Sequence, residues 1–365
     1  MKKNLQNALL LAMGLMTTVT FAQDWNVDSR TRVNMHGEND MMLTEQRATI
    51  GATWGGTDWG IHVSSDVNYF LGDGSNGQIS MMVYEAYAST DLMGYANMSA
   101  GRMALDYGSG AIVGSNQFGT RNTRDGFLFA IENDMLDLDF GLATGNLGTD
   151  PENSRRDILL NASKAEGDWS ANLLYVKGSS VSDGVDNDDY TAMGIDLSYA
   201  LMGGALELNG SSNTYTEGDI DMDMMSYGAS YNVNDDLSIS ATQTTYGDGG
   251  FNLLGANMGN DYIDDDGNVH LSWLENGNMG FLDAGDVDLA FGASYSMGDF
   301  NVGATMHTVT NDGDDVVDGW ERNATEMSLG YTMSDNASLA LKMVKDNYGG
   351  DDDVDFMWLT LTVTP

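Results

Sequence analysis

The sequence contains no cysteine, only two prolines, and 15 basic residues against 55 acidic ones. Without cysteine, a chain of 365 residues cannot be a disulfide-stapled scaffold, so its stability must come from an extended hydrogen-bonded architecture. The net charge of −40 excludes nucleic acid as a partner, because binding it needs the opposite sign. No stretch reaches the roughly 20 apolar residues of a membrane helix, and no long stripe with a 3.6-residue period appears. With 45 glycines the composition first suggests a disordered polypeptide, but 16 Tyr, 11 Phe and 7 Trp argue against that.

Lys2 and Lys3, the apolar stretch Ala8 to Leu15, and Thr20-Phe21-Ala22 ahead of Gln23 follow the order of a secretory signal peptide. The expected division is residues 1–22 as signal and 23–365 as a single domain. Two of the 15 basic residues fall in the signal, leaving 13 in the mature chain.

That domain breaks into short alternating segments, each ending in Gly, Asn, Asp or Ser, which predicts antiparallel strands. In the best example Trp59, Ile61, Val63, Val67 and Tyr69 share one face, and His62, Ser64, Asp66 and Asn68 share the other. One face suits lipid and the other water. Trp59 and Tyr69 are separated by roughly 26 Å along a tilted strand, close to the apolar band of about 25 Å in transmembrane barrels.

The connections alternate in length. Eight tight turns, near 55–58, 90–94, 132–135, 165–168, 202–204, 232–236, 296–299 and 334–337, interleave with nine longer segments, near 36–43, 71–77, 103–125, 145–155, 179–189, 212–222, 247–285, 311–322 and 346–353. Such sorting predicts an all-β fold: an 18-stranded antiparallel transmembrane β-barrel, with sixteen strands as the alternative count, in a bacterial outer membrane. A barrel that wide holds an aqueous channel, and closure leaves no sheet edge unpaired in lipid.

Eight basic residues cluster between 30 and 156: Arg30, Arg32, Arg47, Arg102, Arg121, Arg124, Arg155 and Arg156. Asp28, Arg30, Arg32 and Asn34 oppose Val27 and Val33, while Glu45 and Arg47 oppose Ala48, Ile50 and Trp54, so these charges should point into the lumen. Mutual pairing of such inward charges is as good an explanation for them as solute contact.

The most distinctive stretch runs from Gly101 to Gly126. Gly101-Arg102 closes a strand, Tyr107-Gly108 and Gly114-Ser115 follow, and Arg121, Arg124, Asp125 and Gly126 end the segment. Here the chain resembles the alginate-export-type outer-membrane porins, closely over about 25 residues and elsewhere by barrel pattern. The resemblance implies eighteen strands and a lumen narrowed by charged residues. The third long segment, about 103–125, is accordingly expected to fold inward, with Arg102, Asp106, Arg121, Arg124 and Asp125 at the constriction facing Arg30, Arg32 and Arg47. Because Arg102 shares parity with Ala96, Met98 and Ala100, its inward placement requires a bulge near Gly101.

Acidic runs at 183–189, 261–266, 312–318 and 351–353 fall in the long segments and read as solvated surface. The run Asp264-Asp265-Asp266-Gly267-Asn268 lacks the alternating ligand spacing of an EF-hand loop. His36, His62, His270 and His307 are scattered, and no zincin, nucleophile-elbow or phosphate-loop motif occurs. His62 and Ser64 share a face, which a polar lining explains. Methionines such as Met193, Met327 and Met357 sit at apolar positions. No catalytic residue, cofactor or metal site is therefore expected. The function expected is passive diffusion of small hydrophilic solutes or ions, with outer-membrane lipid as partner and self-association left open. The rival is a barrel anchor or adhesin working through its acidic loops.

Overall fold

The computed structural model describes residues 22–35, 43–71, 80–114, 123–146, 154–182, 185–186, 189–251, 261–263, 269–271, 282–311, 313, 319–347 and 354–364. Its strands, in chain order, are β1 (Ala22–Asn34), β2 (Leu43–Gly55), β3 (Trp59–Leu71), β4 (Ser80–Asp91), β5 (Asn97–Met103), β6 (Arg124–Ile131) and β7 (Asp137–Asn146). Next come β8 (Ser154–Glu166), β9 (Trp169–Ser182), β10 (Val185–Asp186), β11 (Tyr190–Leu201), β12 (Leu206–Glu217), β13 (Ile220–Asn232) and β14 (Leu237–Tyr246). The remainder are β15 (Asp261–Ile263), β16 (Val269–Leu271), β17 (Asp286–Met297), β18 (Phe300–Asn311), β19 (Glu321–Ser334), β20 (Ala337–Asp346) and β21 (Val354–Val363).

Three of these lie outside the wall. The two-residue β10 pairs with the end of β9, and β15 with β16 forms a separate hairpin. The other eighteen pair antiparallel with their neighbours, and β1 pairs with both β2 and β21, from Ser29↔Val363 to Asn34↔Trp358. The sheet therefore closes on itself, and every wall strand has a partner on each side.

All eight tight turns stand where the sequence places them. The segment near 212–222 differs: β12 and β13 continue in register to Glu217↔Ile220 and turn on Gly218-Asp219. Gly218 supplies the positive φ of 58° that this turn requires, and the polar residues before it alternate as strand rather than loop.

Side-chain parity separates two environments. Trp25 and Val27 on β1, Ile50 on β2, and Trp59, Ile61 and Val63 on β3 are exposed on the outer face. Arg32, Arg47, Thr49, Ser64 and Asp66, of opposite parity, are buried on the inner one. At the tight-turn rim the outer face carries Trp59, Trp169, Tyr199, Tyr295, Phe300 and Tyr331, all exposed, with the last two rings stacked at 4.6 Å. Aromatic rings at a barrel rim suit a membrane–water boundary.

Candidate functional site

The inner wall is polar over much of the ring but carries two apolar stretches: one buries Met224, Tyr246, Val309, Val344 and Trp358 on β13, β14, β18, β20 and β21, in one cluster with Phe251 and Leu282, and the other lies on β8, β9 and β11. Leu159 on β8, Leu174 and Val176 on β9 and Ala192 on β11 point inward. Apolar side chains facing a lumen can be dried only by something inside it. The segment after β5 does this: Ala111, Ile112 and Val113 are buried at 4, 2 and 2% exposure in the same cluster. Burying each of the larger ones contributes about 1.5–3 kcal/mol, enough to hold a short segment against the wall.

Close approach fixes the path of the segment. Gly108 has φ 57°, and a Cβ there would stand 1.8 Å from Asp196 Oδ2 on the wall. Ser109 lies 3.3 Å from the Ser211 hydroxyl, which donates to it, and Asn213 of β12 donates to it at 3.5 Å. Tyr107 N–H donates to the Val113 carbonyl at 3.0 Å, closing the segment on itself. Burial pushes the Tyr107 phenol well above its ordinary range, and the adjacent Asp139 carboxylate, which accepts its hydrogen bond, adds to the shift. The tyrosine thus stays a neutral donor, tying the segment to β7.

Beside the segment stands a compact charged cluster. Arg124 Nη1 donates to Asp157 Oδ2 at 2.7 Å, and Arg155 Nε donates to Asp157 Oδ1 at 3.0 Å and to the Tyr190 hydroxyl at 2.8 Å. Tyr190 also donates to Asp157, and its ring lies under the Arg155 guanidinium at 4.9 Å. Tyr215 stacks on Tyr190 at 5.7 Å and donates to Glu217 at 2.6 Å. One carboxylate thus serves two guanidiniums, and the aromatic pair fixes one of them.

In a ring of eighteen, β18 lies nine strands from β6 in either direction. Its His307 donates from Nδ1–H to Asp288 Oδ2 at 2.9 Å, and Nε2 lies 3.6 Å from Glu326 Oε1. Nearby, Arg322 makes a two-pronged pair with Asp346 at 2.7 and 3.0 Å, and Asn311 donates to Asp286 at 2.8 Å. Arg124 and His307 are each seven residues from the tight-turn end of their strands, and Glu326 is eight, so the two walls face each other at similar height. The arginine-rich side and the carboxylate-rich side together set a field across the lumen.

Among the sequence-predicted residues, Arg30, Arg32 and Arg47 do line the inner face of β1 and β2. Arg30 is paired in register with Arg47, which reaches Asp28 at 3.9 Å. Asp106 lies on the inward segment, exposed to the lumen, and Arg124 sits in the charged cluster. Arg121 is outside the described residues, as is the 264–268 acidic run.

Arg102 and Asp125 are not where the sequence reading put them. Both pairings of β5 are continuous, so no bulge resets its register. Met103, opposite Arg124, is buried inside, and Arg102, opposite Asp125, therefore faces outward with Ala100 and the exposed Phe127. The bulge lies instead on β4, where Tyr84 is skipped between Ser64↔Glu85 and Ser65↔Val83.

Sequence reasoning did not select Asp157, Tyr190, His307, Glu326 or Asp346. Asp157 was within reach, since it shares parity with Arg155 two residues earlier. The others lie on strands whose register no local pattern specifies. His62 and Ser64 both point inward; His62 contacts Thr53 Oγ1 at 2.8 Å and Glu85 at 3.4 Å and stacks on Tyr87.

The fold and site together define a class: closed eighteen-stranded antiparallel barrels with a polar, charge-lined lumen narrowed by an inward third segment. No protein-family model matches the sequence, and no curated protein matches it. Solved structures do. The Pseudomonas aeruginosa outer membrane protein OpdK aligns over 94% of this chain and 99% of its own, with a TM-score of 0.71 and 13% identity. OccK11 (OpdR) of the same organism aligns over 94% and 95%, with a TM-score of 0.69 and 13% identity. Its outer membrane protein OprD aligns over 94% of both chains, with a TM-score of 0.67 and 15% identity. At such identity the likeness is one of fold.

Proposed function

We propose that this chain is a porin of the bacterial outer membrane, giving passive diffusion of small hydrophilic solutes or ions through a charge-lined aqueous pore. The single observation that carries the reading is the inward segment 104–114, docked on the inner wall beside the Arg124–Asp157–Arg155 cluster and across from His307, Asp288 and Glu326. A closed barrel with an apolar outer face belongs in lipid, and a polar lumen with a partial obstruction is what a selective channel requires.

Arg30, Arg32, Arg47, Asp106 and Arg124 are the proposed lining of the narrow part, joined by Arg121 from the sequence reading and by Arg155 and Asp157 from the geometry. The finer likeness to alginate-export-type porins rests on the 101–126 stretch. Arg124 and Arg155 share one acid, and carboxylates line the facing wall, which suits short solutes or ions better than a long polyanion. The crystal structure of OpdK with vanillate is a structural neighbour at 13% identity.

Recording from planar bilayers tests the proposal. Reconstituted protein should give stepwise ionic conductance, and salts of increasing ion size should report the width of the opening. Absence of current from protein that is folded by heat-modifiable gel mobility would overturn the reading and favour a plugged anchor.

A further inference from the structure

The pair Arg102–Asp125 lies on the outer face, across the wall from the lumen. Arg102 Nε and Nη2 donate to Asp125 Oδ1 and Oδ2, both at 2.8 Å, and Nη1 donates to the Val83 carbonyl at 3.4 Å. The side chains are 42% and 45% exposed. Arg102 is five residues from the tight-turn end of β5, and Asp125 is six from that of β6. At about 3.4 Å per residue and a tilt near 40°, the pair stands roughly 13–16 Å above the rim, half-way up a band of about 25 Å.

Two further features meet at this place. Ala86, Ala88 and Ala100 flank the pair on the outer face, leaving a low surface. β5 and β6, at seven and eight residues, are also the shortest strands of the wall among the described residues, because the chain turns into the lumen just above them.

Lipid chains cannot solvate such a pair, whereas a protein surface bearing the same two charges can. We infer that the outer face of the β5–β6 hairpin is an interface with a second copy of this chain, in which Arg102 and Asp125 of one barrel lie against Asp125 and Arg102 of the other. Charge complementarity selects the occupant: a cation and an anion side by side are matched by their own two-fold image, and small side chains around them permit close approach. The inference rests on the membrane-barrel reading above.

The test is photocrosslinking in the membranes of expressing cells. A benzophenone amino acid replaces Phe127, on the same outer face, or Phe291, exposed on the opposite wall. Irradiation should yield an adduct of twice the chain mass from position 127, at least five times more than from 291. Arg102→Asp should abolish it, and the double exchange R102D/D125R should restore it. Adducts of equal yield at both positions, capture of lipid or of another protein at 127, or indifference to Arg102→Asp would each overturn the interface. Conductance measured on the same protein separates this failure from that of the pore, since barrels that conduct but do not crosslink leave the proposed function standing.

Discussion

Asp157 is the residue on which most of the charged cluster depends. It is 3% exposed and accepts from Arg124, Arg155 and Tyr190, so Asp157→Ala leaves two guanidiniums side by side without their shared acid. Removing one member of a buried charge cluster costs about 3–5 kcal/mol, and the temperature of the mobility shift in detergent gels should fall accordingly. Replacing both arginines by glutamine tests their place in the lumen. It removes two positive charges from one wall, and the reversal potential in a salt gradient should move toward cation preference. An unchanged potential would place the narrow part elsewhere. Arg102→Gln, by contrast, should leave the potential alone, because that side chain faces outward, on the far side of the wall from the ion path.

At the scale of elements, the inward segment 104–114 is the piece that turns a wide barrel into a narrowed one. Its docking depends on Gly108, where any Cβ meets Asp196 and a left-handed φ is imposed. Gly108→Val should lift the segment from the wall, raising single-channel conductance at least twofold and increasing open-channel noise. The control is Gly94→Ala, which imposes similar backbone strain of roughly 1–2 kcal/mol but meets nothing within 4 Å and lies in a tight turn. Conductance that responds to both substitutions alike would mean that the segment does not gate the passage. A loop anchored by apolar contacts also explains why the sector around Leu159, Leu174 and Val176 departs from the alternation of apolar outside and polar inside.

For the whole molecule, closure decides the solvent. Every wall strand is paired on both sides, and most of the exposed large apolar side chains of the strands lie on the outside, so the protein should remain monodisperse in detergent and precipitate without it. The rim tryptophans give a direct readout. Trp25, Trp59 and Trp169 are at least 40% exposed on the outer face, and lipids brominated high on the acyl chain should quench the emission. Failure to quench, or stable solubility in plain buffer, would remove the membrane from the account.

What the sequence by itself determined is the barrel. Alternation within segments such as 59–69 assigns each side chain to lipid or water, and the interleaving of tight turns with long segments orders eighteen strands into an up-and-down ring. Both signals are local, because a period of two and a turn residue need no distant partner. The inward placement of Arg30, Arg32 and Arg47 came from the same parity. Tertiary structure alone decided which charges meet. The bulge at Tyr84 and the unbroken register through Gly101 sent Arg102 and Asp125 outward. Strand pairings remote from any motif brought His307 to Asp288 and Glu326, and the inward segment to Gly194 and Asn213. Register is a property of two strands at once, and a one-residue difference moves a side chain across the wall, so no reading of a single segment contains it.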